Sequence, residues 1–113
     1  MKLIECFRRF YAIFAIQLIS MKQIQLIINK SEITAGTRGS SLGPEAIMAA
    51  ARRRNSLFFG NYPTVEIENM NQLLDTPVKY ENAKRIEGLV QVFKNISNSV
   101  VSCVADGKFP LIL

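Results

Sequence analysis

The sequence predicts an α/β protein: a parallel sheet with helices on its faces, to which this chain supplies an incomplete β-α-β-α-β unit. Apolar, β-branched segments alternate along the chain with segments of helical periodicity. This alternation is typical of parallel sheets with right-handed crossovers. The length of 113 residues, 49% of them hydrophobic, is enough for one modest core. We therefore expect residues 21–113 to form part of one α/β domain, with helices on the faces of its sheet.

The first strand and the first helix are predicted from their apolar patterns. Within residues 22–29, Ile24, Leu26 and Ile28 lie on one face and Ile27 joins from the other, which suits a strand covered on both sides. Gly43-Pro44-Glu45 predicts the start of a helix, because proline at the first helical position loses no hydrogen bond and Glu45 complements the positive end of the helix dipole. We expect this helix to end at residues 52–54, a run of three arginines.

The second half of the chain predicts two further strands around a long helix. Residues 64–68 alternate between polar and apolar and indicate a short strand near an edge. Residues 81–105 carry apolar side chains at three- and four-residue steps, which predicts one helix with one apolar face. Asp106-Gly107-Lys108 ends it, and Gly107 suits a left-handed cap. Residues 109–113 predict a third strand. The predicted apolar face comprises Ala83, Ile86, Leu89, Val90, Phe93, Ile96, Val100, Val101 and Val104.

Residues 1–20 differ from the rest of the chain. Basic residues precede an apolar run over residues 10–19, which is a weak signal-peptide pattern. No cleavage motif follows, and the run is too short for a membrane span. We interpret it as an N-terminal extension, either upstream of a natural start at Met21 or a loosely attached helix. The expected location is cytoplasmic.

The composition excludes several classes of chemistry. The chain has no histidine, so it cannot form a His–metal cluster or a Ser–His or Cys–His nucleophile. Cys6 and Cys103 are expected to be reduced thiols, with a disulfide between them as the alternative. A net charge of +5 is mild. The arginines at residues 52–54 suit a helix end, and without aromatic interleaving or a wider basic stripe they do not indicate nucleic-acid binding.

Residues 30–46 join the first strand to the first helix and form the most informative segment. The segment is rich in glycine and hydroxyl groups and carries Arg38. One interpretation is an anion or substrate loop near the helix N–H groups; the other is an ordinary long β-α connection. It contains neither G-x-G-x-x-G nor G-K-[ST], so a phosphate loop is a weak hypothesis.

This segment resembles the opening of the arginase (ureohydrolase) family. KSE at residues 30–32 and AGTRGSSLG at residues 35–43 are similar to the loop near the start of bacterial arginases. Phe58-Phe59 and residues 80–86 also resemble that branch. FPLIL at residues 109–113 resembles the strand that in this family leads into a Gly-Asp-His-Ser metal motif. The resemblance covers residues 21–113 and is specific at residues 31–44.

The resemblance implies an arginase-like three-layer fold of which this chain is the N-terminal part. It implies hydrolysis of L-arginine to ornithine and urea at two Mn²⁺ ions, and a homo-oligomer. The family's metal ligands would lie beyond Leu113, and Asp75 and Asp106 do not match them. The resemblance therefore assigns this chain no catalytic residue and no metal ligand. The substrate-loop candidates are Thr37, Arg38 and Gly39.

Other functions remain open at this point. The chain is expected to be inactive alone and to self-associate. Arginase, agmatinase and formimidoylglutamase are not separated, because the residues that would read the substrate's amino-acid end are absent. A small non-enzymatic α/β module that binds a partner through its open sheet edge is the main alternative. A small-anion binder that uses residues 31–42 is another.

Overall fold

The structure is a computed structural model that describes residues 4–5 and 23–113. The expectations for the N-terminal extension, Met21 and Cys6 lie outside these residues. The main elements are β1 (Ile24–Ile28), α1 (Gly43–Arg53), β2 (Thr64–Glu66), α2 (Ile86–Ala105) and β3 (Phe109–Ile112). Short 3₁₀ turns cover Ser40–Leu42, Phe58–Asn61 and Asn71–Asp75.

The three strands form an open parallel sheet in the order β2-β1-β3. This confirms the mixed α/β class and the parallel sheet. β1 is the central strand, and Leu26, Ile27 and Ile28 are buried from both sides as predicted. β2 lies at an edge, and all three of its residues are exposed.

A small core joins the sheet to α2. Ile27 contacts Ile67 and Cys103, and the partly buried Ile96 and Val100 of α2 pack against this cluster. Cys103 is a buried free thiol among the described residues. Since residues paired across a ladder point to the same face, Ile27, Val65 and Ile112 share the face that α2 covers.

The start of α2 differs from the prediction. The helix begins at Ile86 rather than at residue 81, because residues 81–85 form bends and a turn. Arg85 adopts a left-handed conformation with φ of 57°. Its guanidinium donates hydrogen bonds to the carbonyls of Leu73 (2.6 Å) and Leu74 (2.9 Å), which hold the turn to the preceding loop. Tertiary hydrogen bonds therefore override the local helical pattern. The predicted end is confirmed, with φ of 73° at Gly107.

The prediction of one buried apolar face on α2 is also corrected. The helix buries Gly88, Val92 and Cys103 against the rest of the chain. Val90, Phe93, Val101 and Val104, which belonged to the predicted face, are exposed by 45%, 59%, 65% and 51%. The apolar side chains of α2 span a wider arc around the helix than the sheet can cover. The sheet therefore contacts only one side of that arc.

The helix α1 follows the prediction. It begins at Gly43, with Pro44 buried in the first turn and Glu45 beside it, and it ends with Arg52 and Arg53 in the last turn. Proline loses no hydrogen bond at this position, and the arginines complement the negative end of the helix.

Candidate functional site

Two loops meet beyond the carboxyl ends of β1 and β2. We call residues 29–42 the β1–α1 loop and residues 67–85 the β2–α2 loop. In open α/β sheets, ligands bind at this edge. The predicted substrate-loop residues belong to the β1–α1 loop, and all three are exposed there. The contacts between these two loops therefore determine what the edge can do.

Lys30 forms the first connection at this edge. Its ammonium contacts Glu45 Oε1 at the start of α1 (2.5 Å) and Glu66 Oε2 at the end of β2 (2.9 Å). The hydrogen bonds that the Lys30 ammonium donates, first to Glu45 and then to Glu66, raise the pKa of Lys30. The same contact lowers the pKa of Glu45. One side chain thus ties the first helix to two neighbouring strands.

Glu32 organises the β1–α1 loop from inside. This carboxylate side chain is only 4% exposed. Its Oε1 accepts hydrogen bonds from the Gly39 N–H (2.5 Å), the Ser41 N–H (3.3 Å) and the Ser41 hydroxyl (2.8 Å). These bonds, with the Gly39 N–H first, hold the pKa of Glu32 below its usual value, so the group stays ionised. A buried carboxylate with this many donors fixes the loop around itself.

This geometry bears on the anion-binding hypothesis. The N–H groups of Gly39 and Ser41 are the donors that an external anion would use. They already bind the carboxylate of Glu32, which belongs to the same loop. The loop is therefore built around an internal anion, and these donors would have to be released before an external one could take its place.

Arg38 connects the β1–α1 loop to the β2–α2 loop. Its Nη2 donates to Asp75 Oδ2 (2.5 Å), and its Nη1 lies 3.6 Å from Glu32 Oε2. Asp75, followed by Glu32, raises the pKa of Arg38. This guanidinium connects the two loops by pairing with a carboxylate on each of them. Thr37 has no side-chain hydrogen bond among the described residues, and Gly39 contributes its N–H to Glu32.

Asn71 holds the same two loops together through the backbone. Its Oδ1 accepts a hydrogen bond from the Glu32 N–H (2.8 Å), and its Nδ2 donates to the Lys30 carbonyl (2.8 Å). Asn29 and Asn69 each accept a hydrogen bond from the N–H two residues further on. These Asx turns can be predicted from the sequence, which is Asn-x-Ser at residues 29–31 and Asn-x-Asn at residues 69–71. No sequence spacing signals the long-range bonds of Glu32 and Asn71.

The side chains at this edge do not fit a metal ion. Among residues 4–5 and 23–113, no group of three or more His, Cys, Asp or Glu side chains could hold one. Glu45 and Glu66 do converge, but they converge on the ammonium of Lys30. Glu32 Oε1 is filled by hydrogen-bond donors, and Asp75 pairs with Arg38. A manganese site would need ligands that these residues do not supply.

A concavity of about 440 Å³ lies elsewhere, between the sheet and α2. Gln25 and Lys108 line its floor near the start of β1 and β3, and their side chains form a hydrogen bond of 3.1 Å. This is far from the carboxyl ends of the strands. A smaller concavity of about 80 Å³ is lined by the β2–α2 loop and the start of α2.

The chain matches no protein-family model, no curated protein and no solved structure. Within the part of the chain that the structure describes, no helix is both long and apolar enough to cross a membrane. The carboxyl edge of the sheet has two properties of its own. It can hold two loops in one conformation through Glu32, Arg38 and Asn71, and it presents Thr37 and Gly39 at the surface.

Proposed function

We propose that the chain is the opening β-α-β-α-β portion of an arginase-type ureohydrolase domain, and that it forms the structural support of the active-site edge. The resemblance is most specific at residues 31–44. The observation that carries the proposal is the organisation of this same segment around the buried Glu32 at the carboxyl edge of a parallel sheet. An open sheet binds its ligands at that edge.

The proposed role of Arg38 is positioning. Both of its ion pairs lie within the chain, with Asp75 and Glu32. A guanidinium that bridges two carboxylates on two loops fixes the loops relative to each other. Thr37 and Gly39 flank it at the surface, so we place them, more than Arg38, where a substrate could approach. In a complete domain, this loop would shape the entrance to a site for a guanidino substrate.

Catalysis is assigned to residues outside this chain. In the family that the sequence resembles, two Mn²⁺ ions would supply the activated water for the hydrolysis of L-arginine. The carboxylates described above are engaged with Lys30, Arg38 and backbone N–H groups, and do not fit such ions. We therefore expect the chain alone to release no urea from L-arginine in the presence of Mn²⁺. Urea release above a blank that contains only the metal and substrate would contradict this assignment.

The reading frame after Leu113 tests the family itself. A continuation that reads Gly-Asp-His or Gly-Gly-Asp-His, directly or after a frameshift, would support the arginase proposal. A stop codon followed by unrelated sequence would count against it. This test is independent of the urea assay, because a non-enzymatic module would also give no urea.

A partner-binding module is the second candidate, and the edge of β3 favours it. Among the described residues, β3 pairs only with β1, and Phe109 and Ile112 are exposed by 55% and 45%. An edge of this kind can accept a strand from another protein. The full chain under size exclusion and urea denaturation discriminates the two candidates. A monomer with one sharp unfolding transition favours the self-sufficient module, and a loosely folded or aggregating chain favours the domain portion.

A further inference from the structure

A concavity of about 230 Å³ lies where α1 ends and the chain turns back toward β2; we call it the α1 concavity. Helix α1 contributes Met48 and Arg52, which stand four residues apart and therefore lie on one side of the helix. The rest of the wall comes from the residues after the helix, which are Ser56, Leu57, Phe59 and Gly60. Because β1 and β2 are parallel, α1 begins near the carboxyl edge of the sheet and ends near the opposite edge. The α1 concavity is therefore separate from the two loops of the candidate site.

Backbone hydrogen bonds fix the chain reversal that closes the α1 concavity. The N–H groups of Arg54 and Ser56 both donate to the Ala51 carbonyl, each at 3.0 Å. The Asn55 N–H donates to the Arg52 carbonyl (2.9 Å), and Asn55 adopts a left-handed conformation with φ of 58°. These bonds engage carbonyls at the negative end of the helix, which reduces the repulsion that an anion would meet there.

The inner surface of the α1 concavity is mostly apolar and includes an aromatic ring. Phe59 packs edge-on against Phe58 with ring centroids 5.1 Å apart, and Phe58 packs in the same way against Tyr62 (5.0 Å). The Met48 thioether and the Phe59 ring are favourable neighbours for the aromatic ring of a ligand. Benzene binds in an apolar cavity of about 150 Å³. A space of about 230 Å³ can therefore hold one aromatic ring with a short side chain.

The polar side chains of the α1 concavity are hydrogen-bond donors. The Ser56 hydroxyl oxygen accepts a hydrogen bond from the Phe58 N–H (3.4 Å), so its own proton is available to a ligand. Arg52 is exposed and forms no ion pair among the described residues, and a guanidinium has N–H donors but no acceptor. Within the described part of the chain, no Asp or Glu side chain lines this space. Two donors and one positive charge are complementary to a carboxylate.

We propose that the α1 concavity binds a small arylalkyl carboxylate, with its aromatic ring between Met48 and Phe59 and its carboxylate paired with Arg52 and Ser56. A guanidinium can meet a carboxylate through two parallel hydrogen bonds, and the Ser56 hydroxyl supplies a further donor. The concavity is open on one side, so the ligand keeps part of its surface in water. We expect a dissociation constant on the order of a millimolar for a ligand of this size.

An NMR titration of the full chain with phenylpropanoate tests the proposal through the methyl signals of its methionines. The Met48 signal, assigned with the variant Met48→Leu, should shift as the ligand is added and should saturate with a dissociation constant on the order of a millimolar. Met70 is the internal control, because it precedes the turn Asn71–Asp75 in the β2–α2 loop and does not line the α1 concavity. Its methyl signal should not move.

A matched ligand and a matched variant measure the contribution of the charge. Phenylpropanamide has the same ring and chain without the charge, and it should bind about fivefold more weakly than phenylpropanoate. Arg52→Gln should weaken phenylpropanoate binding by about fivefold and leave phenylpropanamide binding unchanged, because only the carboxylate pairs with the guanidinium. Arg53→Gln is the control, since it removes the same charge from the neighbouring exposed residue, which does not line the concavity. It should bind phenylpropanoate within about twofold of the parent chain. Circular dichroism of each variant verifies that the helix content is retained.

Three results would overturn the proposal. The first is a Met48 signal that does not move up to about 20 mM phenylpropanoate. The second is a Met70 signal that shifts as much as the Met48 signal, which would indicate non-specific binding. The third is an equal effect of Arg52→Gln and Arg53→Gln, or equal affinity for the acid and the amide, since either would remove the carboxylate pairing with Arg52. None of these results bears on the arginase proposal, which concerns the loops at the opposite edge of the sheet.

Discussion

Gly88 should be intolerant of a single added methyl group. It lies in the first turns of α2, where the helix passes the β2–α2 loop. A Cβ atom at this position would sit 2.4 Å from Leu73 Cδ1 and 3.2 Å from Ile33 Cδ1. Ordinary carbon–carbon contacts are about 3.5–4.0 Å, so the end of the Leu73 side chain would have to move by about 1 Å. The change Gly88→Ala therefore tests whether this loop presses against the helix.

The expected magnitude is a balance of two effects. Alanine favours a helix over glycine by about 1 kcal/mol. Overpacking costs about 1–3 kcal/mol. The Leu73 backbone is fixed, because its carbonyl accepts hydrogen bonds from the Arg85 guanidinium (2.6 Å) and the Thr76 hydroxyl (2.8 Å). The Leu73 side chain must therefore move to relieve the clash. We expect Gly88→Ala to lower the free energy of unfolding by about 1 kcal/mol net.

Urea denaturation followed by circular dichroism measures this change. Gly60→Ala is the matched control, because that glycine lies in the 3₁₀ turn Phe58–Asn61 and a Cβ there meets nothing within 4 Å. Its stability should not fall. The double variant Gly88→Ala/Leu73→Ala should be more stable than the sum of the single effects predicts, by about 0.5 kcal/mol or more, since removing the Leu73 side chain removes the clash. Additive effects of the two changes would refute the close packing of helix and loop.

Two further predictions concern the loops at the carboxyl edge. The pKa of Glu32 is lowered in the folded state by the N–H of Gly39 and the hydroxyl of Ser41. Its contribution to stability is therefore complete above the ordinary pKa of 4.5 and is lost as the pH falls through the lower folded value. Glu32→Gln should flatten the acid limb of a plot of stability against pH, whereas Glu68→Gln, at an exposed position outside the network, should leave its slope unchanged. Arg85→Lys should lower the free energy of unfolding by about 1–2 kcal/mol, because a lysine cannot reproduce the fork of bonds to the carbonyls of residues 73, 74 and 76. A thermal unfolding midpoint equal to that of Arg53→Lys, a matched change at an exposed helix end, would contradict this.

The strands and α1 were predictable because local patterns decide them. Residues 24–28 place Ile24, Leu26 and Ile28 on one face and Ile27 on the other, and the centre of a parallel sheet buries both faces. Pro44 and the terminal arginines define α1 by local electrostatics and stereochemistry. The start of α2 was not predictable from periodicity, because its position depends on Arg85 reaching carbonyls 9 to 12 residues earlier in the chain. The buried side of α2 is likewise chosen by contact with Ile27 and Ile67, and not by the helix itself.

The candidate site was predictable in its location but not in its organisation. A loop after a parallel strand lies at the ligand-binding edge of the sheet, so the place of Thr37, Arg38 and Gly39 followed from the strand pattern alone. Their partners did not follow from it. Asp75 is 37 residues from Arg38, and Asn71 is 39 residues from Glu32. Such pairs are brought together only when β1 and β2 align, and no local rule specifies them.

Pro110 restricts how the sheet can grow at β3. The N–H groups of Phe109 and Leu113 donate to β1, so the alternate residues Pro110 and Ile112 direct their backbone groups to the open side. Because proline has no N–H, Ile112 carries the only donor that β3 presents there. A strand added at this edge must align an acceptor with that one donor, and a strand shifted along β3 would find none. The edge therefore selects one register for an incoming strand and gives little support to indiscriminate stacking of chains.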